Sequence, residues 1–137
     1  MLLYMAARAQ LVDEIIRPAI DAEKTVVSDR FLLANVVYQG HAGGLDIGML
    51  WDVGHVATGG LYPDLILLLD MPVDAADKRM ERELDRMETQ GDDFRLRLRD
   101  GFLAEAARDT ERIAIIDASK TIDEVHTAIR AAVEKLL

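Results

Sequence analysis

The stretch Asp64-Leu65-Ile66-Leu67-Leu68-Leu69-Asp70, followed by Pro72, narrows the choice of folds more than any other part of the chain. Its apolar residues leave no polar face, so a strand built from them must be covered on both sides, as the inner strands of parallel sheets are. Ile113 to Ile116, closed by Asp117-Ala118-Ser119, is a further short apolar run, and Thr25-Val26-Val27, stopping at Ser28-Asp29-Arg30, is another. Helical patterns separate these candidate strands. Strands alternating with helices predict an α/β fold in which helices cover a parallel sheet.

The helices can be placed from spacing and from breakers. Residues 2–22 carry Leu3, Ala7, Leu11, Ile15 and Ala19 at helical intervals, widened by Val12, Ile16 and Ile20. Pro18 lies late in that run, where a helix interior resists it, so a kink or an end near Arg17 is expected. A short helix is predicted from Leu33 to Gln39, broken by Gly40, Gly43 and Gly44, and a longer one from Leu45 to Thr58, ended by Gly59-Gly60 and Pro63. Residues 73–83 have helical composition. Another helix should run from Asp92 or Asp93, as its cap, to about Arg108, with Phe94, Leu98, Phe102 and Ala106 on one face. The last starts near Ile122, with a cap at Thr121 and a stripe of Val125, Ile129 and Val133.

A chain of 137 residues suits a single domain with a real core, so one domain over 1–137 is expected. It has no cysteine, which removes disulfides, thiolate metal sites and cysteine nucleophiles and fits a reducing cytoplasm. No apolar run approaches the ~20 residues of a membrane-spanning helix, and a soluble protein without membrane association is expected. The net charge of -9 opposes binding to duplex nucleic acid or anionic membrane, but a few local arginines can still hold a small phosphorylated ligand.

Candidate chemistry gathers in Val26–Asp46. Asp29 and Arg30 stand side by side at the C-terminal end of a predicted strand, where open α/β sheets bind ligands, and a short helix and a glycine loop follow. The residues alone fit two readings, a phosphate or nucleotide pocket and a structural ion pair. Tyr4 and Arg8, four apart on one helix face, either meet a ligand together or lie apart as a core ring and a solvated cation. Lys78, Arg79, Arg82 and Arg86, interleaved with Glu81, Glu83, Asp85 and Glu88, read by themselves as a solvated helix face. The phosphate loop GxxxxGK[ST] is absent from the sequence, and none of Lys24, Lys78, Lys120 and Lys135 follows a glycine. GxGxxG, HExxH and GxSxG are also missing, and His41, His55 and His126 lack metal-ligand spacing.

Five blocks, in this order, resemble bacterial thymidylate kinase: LLYMAARAQLVDEIIRPAI, VVSDRFLLANVVYQG, GGLYPDLILLLDMP, ELDRME and IDAS. The resemblance covers essentially the whole chain in register. It implies a P-loop NTPase-like fold of the nucleoside monophosphate kinase type and transfer of the ATP γ-phosphoryl to thymidine monophosphate (dTMP), with Mg2+. By the same resemblance, Tyr4 matches the aromatic that stacks on thymine, and Arg8 the arginine near the base and phosphate. Asn35, Tyr38 and Gln39 line the thymidine pocket, where the tyrosine ring can exclude a ribose 2′-hydroxyl. Asp29 matches the acid that holds magnesium and its waters, and Arg30 the base that grips the monophosphate. Arg79, Arg82 and Arg86 fall in or beside a lid spanning about 79–91, which closes over phosphates and supplies a cation. Ala118 and Ser119 sit at the adenine side. Relatives pair as homodimers, here through helices 2–22 and 45–58.

The chain departs from the family pattern in starting after the P-loop strand, the P-loop and the glutamate-proline-glycine segment. About the first third is expected to be missing, leaving most of a thymidylate pocket without the ATP phosphate cradle and a chain with little or no kinase activity by itself. The sheet would then have a gap between Val26–Ser28 and Leu65–Leu69, or close up. Two other readings accompany this one: a non-catalytic remnant that binds a nucleotide or dimerises, and a related kinase acting on another monophosphate or a nucleoside.

Overall fold

The computed structural model describes residues 1–79 and 91–136, and these fall into two compact units, Met1–Tyr62 and Pro63–Leu137. In the first unit α1 (Leu2–Leu11) runs through a π-helical turn (Val12–Ile16) into α2 (Arg17–Asp21). The helix therefore does not end near Arg17. Pro18 has no N–H and its ring collides with the carbonyl four residues back, and the wider turn before it, in which the Arg17 N–H reaches Val12 O, absorbs the conflict.

Within the predicted stripe Val12 and Ile16 are buried, joined by Met5, which lies outside it, whereas Leu3 is 87% exposed and Ile15 59%.

At the end of α2, Glu23 adopts a left-handed conformation with φ 57°. Its N–H bonds Ile20 O at 2.8 Å and the Lys24 N–H bonds Ala19 O at 2.9 Å, the Schellman pattern that usually carries glycine. A side chain in that conformation costs about 1–2 kcal/mol, and the extra freedom of unfolded glycine takes back about half. Glu23→Gly should therefore raise stability by about 0.5–1 kcal/mol; a lower midpoint in urea denaturation would contradict this.

The Thr25-Val26-Val27 run does not form the buried strand its composition suggests. It is irregular, and Val27 is 91% exposed. A β-rich tripeptide becomes a strand only where a neighbour supplies ladder hydrogen bonds, and among the described residues none pairs with it. Beyond it, α3 (Leu32–Val36) continues into a second π turn (Val37–His41), passing through Gly40 rather than breaking there. A Cβ on Gly40 would lie 3.0 Å from both Ile47 Cγ1 and Leu50 Cδ1, so glycine is present for close approach. Helix α4 (Ile47–Thr58) starts on Asp46, whose carboxylate accepts the Met49 N–H at 2.7 Å, and ends on Gly59 in the left-handed conformation. Met5, Leu32, Val36 and Leu50 make the core of this unit.

The second unit is built on two parallel strands, β1 (Ile66–Asp70) and β2 (Ile113–Asp117), in the register Ile66↔Ile113 to Asp70↔Asp117. Between them run α5 (Val73–Arg79) and α6 (Asp92–Arg108), and α7 (Ile122–Glu134) follows β2. Helix α6 packs on both strands; Phe94 and Ala106 on it and Ile113 and Ile116 on β2 are buried. The α6 cap position is Gly91, not Asp92 or Asp93; Asp92 instead pairs with Arg95 one turn on. Thr121 does cap α7, in a reciprocal box with Glu124. Those hydrogen bonds from the Thr121 hydroxyl and amide hold the Glu124 carboxyl below its ordinary range. Among the described residues, no helix is long and apolar enough to cross a membrane.

Candidate functional site

Arg8 organises the first unit's polar cluster. Its guanidinium donates to Arg30 O and Phe31 O, both at 3.3 Å, and to Asn35 Oδ1 at 3.0 Å, and it stands 4.8 Å from the Phe31 ring centroid. Burial lowers the Arg8 pKa from its ordinary value. The cation is thus spent on fixing the turn between the extended 25–28 segment and α3. Sequence reading missed Phe31, although it directly follows the Asp29-Arg30 pair and stands four residues before Asn35, one helical turn away.

That turn is strained. Arg30 has φ 67°, a conformation costly for any side chain but glycine, and Ser28 Oγ donates to Arg30 O at 3.0 Å to support it. Strain held by surrounding contacts is characteristic of binding sites. The Arg30 guanidinium lies 5.3 Å from the Tyr38 ring centroid and is solvent-exposed. Among the described residues no ion pair joins Asp29 to Arg30, which disfavours the structural-pair reading of the motif. Tyr38 and Gln39 belong to the π turn, a form enriched at functional sites because its extra residue redirects side chains. Gln39 Oε1 is buried and accepts no hydrogen bond among the described residues, so it is an open acceptor.

Arg8, Arg30, Asn35 and Tyr38 are thus linked by direct contacts, with Gln39 next in the chain. Tyr4 lies one turn before Arg8 and is 60% exposed, and Asp29 is exposed beside Arg30. All seven acceptor-side candidates belong to the first unit.

The second unit holds the remaining candidates at the C-terminal ends of its strands. The register places Asp70 beside Asp117, a like-charged pair that needs compensation. Arg99 supplies it through a fork to both Asp70 oxygens, at 2.8 and 2.9 Å, which raises the Arg99 pKa. Asp117 accepts the Ser119 hydroxyl and N–H, which together hold its carboxyl below the ordinary range. Arg79 donates to Ala118 O at 2.7 Å and to Ser119 O and Lys120 O at 3.1 Å. Arg82 and Arg86 lie outside the described residues, as does most of the 79–91 lid segment.

A family model described as thymidylate kinase matches residues 1–129. The chain belongs to the thymidylate kinase family. Curated thymidylate kinases agree: that of Kosmotoga olearia is 44% identical over 131 residues, covering 94% of this chain and 63% of the relative. That of Rhodopirellula baltica is 45% identical over 130 residues, covering 95% and 53%. The crystal structure of thymidylate kinase from Ehrlichia chaffeensis superposes with a TM-score of 0.75 at 24% identity, over 99% of this chain and 64% of that one. The fold is accordingly the P-loop NTPase-like α/β fold of this family. The chain spans less than two thirds of the length of these relatives.

Proposed function

We propose that the first unit is the acceptor half of a nucleoside monophosphate kinase site and binds dTMP. The observation that carries this reading is the Arg8-centred cluster, which orients an exposed Arg30 and a buried Asn35 within one strained turn in a chain of the thymidylate kinase family. An exposed guanidinium suits two phosphate oxygens, because its planar fork meets both at once. Asn35 and the open Gln39 acceptor suit the polar edge of a pyrimidine, and Tyr38 the sugar. Tyr4 supplies a ring for stacking.

The reaction we assign is transfer of the ATP γ-phosphoryl to dTMP, giving dTDP. Such transfer needs positioning and charge stabilisation more than covalent chemistry, and cationic side chains from Arg30 and from the 79–91 segment, including Arg82 and Arg86, are suited to it. The sequence contains no GxxxxGK[ST], so we assign turnover to a site completed by such a loop and dTMP binding to these 137 residues themselves.

Asp29 fits magnesium in a particular way. Among the described residues no three acids or histidines converge, so there is no resident metal cage. An exposed single carboxylate suits an ion that keeps its waters and arrives with nucleotide phosphates. When bound, magnesium neutralises charge on the transferring phosphoryl group; Asp29 would hold its waters. Exposed Leu2, Leu3, Ile15, Met49 and Val56, on α1, the first π turn and α4, support pairing of two copies.

Calorimetric titration with dTMP, thymidine and UMP tests the reading, with sedimentation of the same samples reporting pairing. Saturable binding of dTMP, at least ten-fold tighter than thymidine or UMP, is expected. A folded chain that binds none of the three would overturn it.

A further inference from the structure

One edge of β1 is bare. The Ile66 N–H bonds Arg112 O at 2.7 Å and Asp70 O accepts the Ala118 N–H at 2.8 Å, so both ends of the strand turn to β2. Alternate residues of a strand direct their main-chain groups to opposite sides, which gives Ile66, Leu68 and Asp70 to β2 and turns the N–H and C=O of Leu67 and Leu69 away from it. Among the described residues no strand pairs with that side, and Leu69 is 53% exposed. The outer edge of β2 differs. Its Ile113 N–H turns back to Asp109 O at 3.0 Å, and its last residue, Asp117, is an exposed acid. Charges and interrupted pairing protect an edge from other strands, and β1 has neither, because its one ionic residue, Asp70, is already forked to Arg99.

The bare groups are self-complementary. With two copies of β1 set antiparallel and Leu67 of each opposite Leu69 of the other, every outward N–H of these leucines meets an outward C=O, and a two-fold axis passes beside Leu68. Charge selects this register. It sets Asp70 opposite Ile66 and Asp64 opposite Pro72, whereas sliding the copies until Leu67 faces Leu67 sets Asp64 opposite Asp70, and like charges directly opposite are unfavourable. We infer that β1 pairs edge to edge with β1 of a second copy in this register, joining the two sheets into one. The two-fold closes on itself, so association through this edge stops at a pair. A strand of five residues buries far less than the ~1,000 Å2 of a stable interface, and a dissociation constant on the order of 100 µM is expected. The contact lies wholly in the second unit, apart from the exposed apolar residues of α1 and α4, and it does not depend on the dTMP reading.

The test follows amide exchange and sedimentation of the chain as its concentration rises, with three variants verified as folded by circular dichroism: Leu69→Lys, Leu69→Pro, and Leu3→Lys combined with Val56→Lys. The Leu69 N–H points away from β2, so proline there leaves the existing ladder intact. Between about 10 µM and about 1 mM, exchange at Leu67 and Leu69 should slow by about four-fold, while Leu68, already in the ladder, stays unchanged. Leu69→Lys should remove the slowing at both positions and Leu69→Pro at Leu67. Leu3→Lys with Val56→Lys, which charges the helical surface, should keep it, and the mean mass of that variant should rise toward twice the monomer over the same range. Exchange independent of concentration would overturn the inference. So would slowing that survives in Leu69→Lys and vanishes in Leu3→Lys with Val56→Lys, which would put the pairing on the helices. Protection of Leu67 and Leu69 at about 10 µM in a sample that sediments as monomer would overturn it as well, because the edge would then be covered from within its own chain.

Discussion

Gly54→Val is expected to destabilise the first unit by about 3 kcal/mol and to weaken dTMP binding at a distance. A Cβ at residue 54 would lie 2.3 Å from Leu32 Cδ1, 2.8 Å from Cδ2 and 3.0 Å from Cγ. Leu32 cannot swing away cheaply, because it is 2% exposed and packed with Met5, Val36 and Leu50. Alanine separates the opposing terms. It gains about 1 kcal/mol of helix propensity over glycine, which offsets part of an overpacking cost of about 1–3 kcal/mol, so Gly54→Ala should be only mildly destabilising. Valine adds two methyl groups and gives up most of that propensity gain. The effect reaches the site because Leu32 begins α3 directly after Arg30-Phe31, and a displaced α3 moves Asn35 away from Arg8. Urea denaturation of the three proteins measures the series; equal midpoints for glycine and valine would show that α3 and α4 do not pack as described.

The parts of this fold that were legible in the sequence are those decided by local chemistry. The aliphatic run of β1, the shorter run of β2, the αL glycine after α4 and the Thr121 cap all depend on a few adjacent residues and form where their patterns place them, although β1 is not covered on both sides as its composition suggests: it pairs only with β2 among the described residues, and Leu69 is 53% exposed. Features decided by distant partners were not legible. Val26 and Val27 read as a strand, yet a strand is a property of a pair, and no described segment pairs with them. The π turns at 12–16 and 37–41 leave the composition helical, so nothing in the sequence marked them. The Asp70–Arg99 fork joins residues 29 apart, and neither member stands in a motif. At the candidate site the residue types were visible and their division of labour was not: nothing in the order of residues says that Arg8 binds backbone while Arg30 stays open, or that Arg30 sits at positive φ.

That division of labour predicts opposite signatures for the two arginines. Arg30→Ala should lower dTMP affinity by about 100-fold or more and thymidine affinity by less than about three-fold, because it removes a forked contact to phosphate, of which each charge-assisted hydrogen bond is worth about 1.5–3 kcal/mol. Alanine meets the same positive-φ cost as arginine, so the change should leave stability nearly unaltered. Arg8→Met should act otherwise. It leaves Arg30 O, Phe31 O and Asn35 Oδ1 without their donor in a partly buried setting, which should cost about 2 kcal/mol of stability and weaken dTMP and thymidine together. Calorimetry with both ligands, paired with urea denaturation, resolves the two patterns. Equal losses of nucleotide and nucleoside in Arg30→Ala would mean that Arg30 shapes the turn instead of gripping phosphate, and the phosphate contact would then have to be sought elsewhere in the first unit. A selective loss would instead give the strained φ at Arg30 a purpose, since the contacts from Arg8 and Ser28 that maintain it hold an exposed guanidinium in place for the ligand.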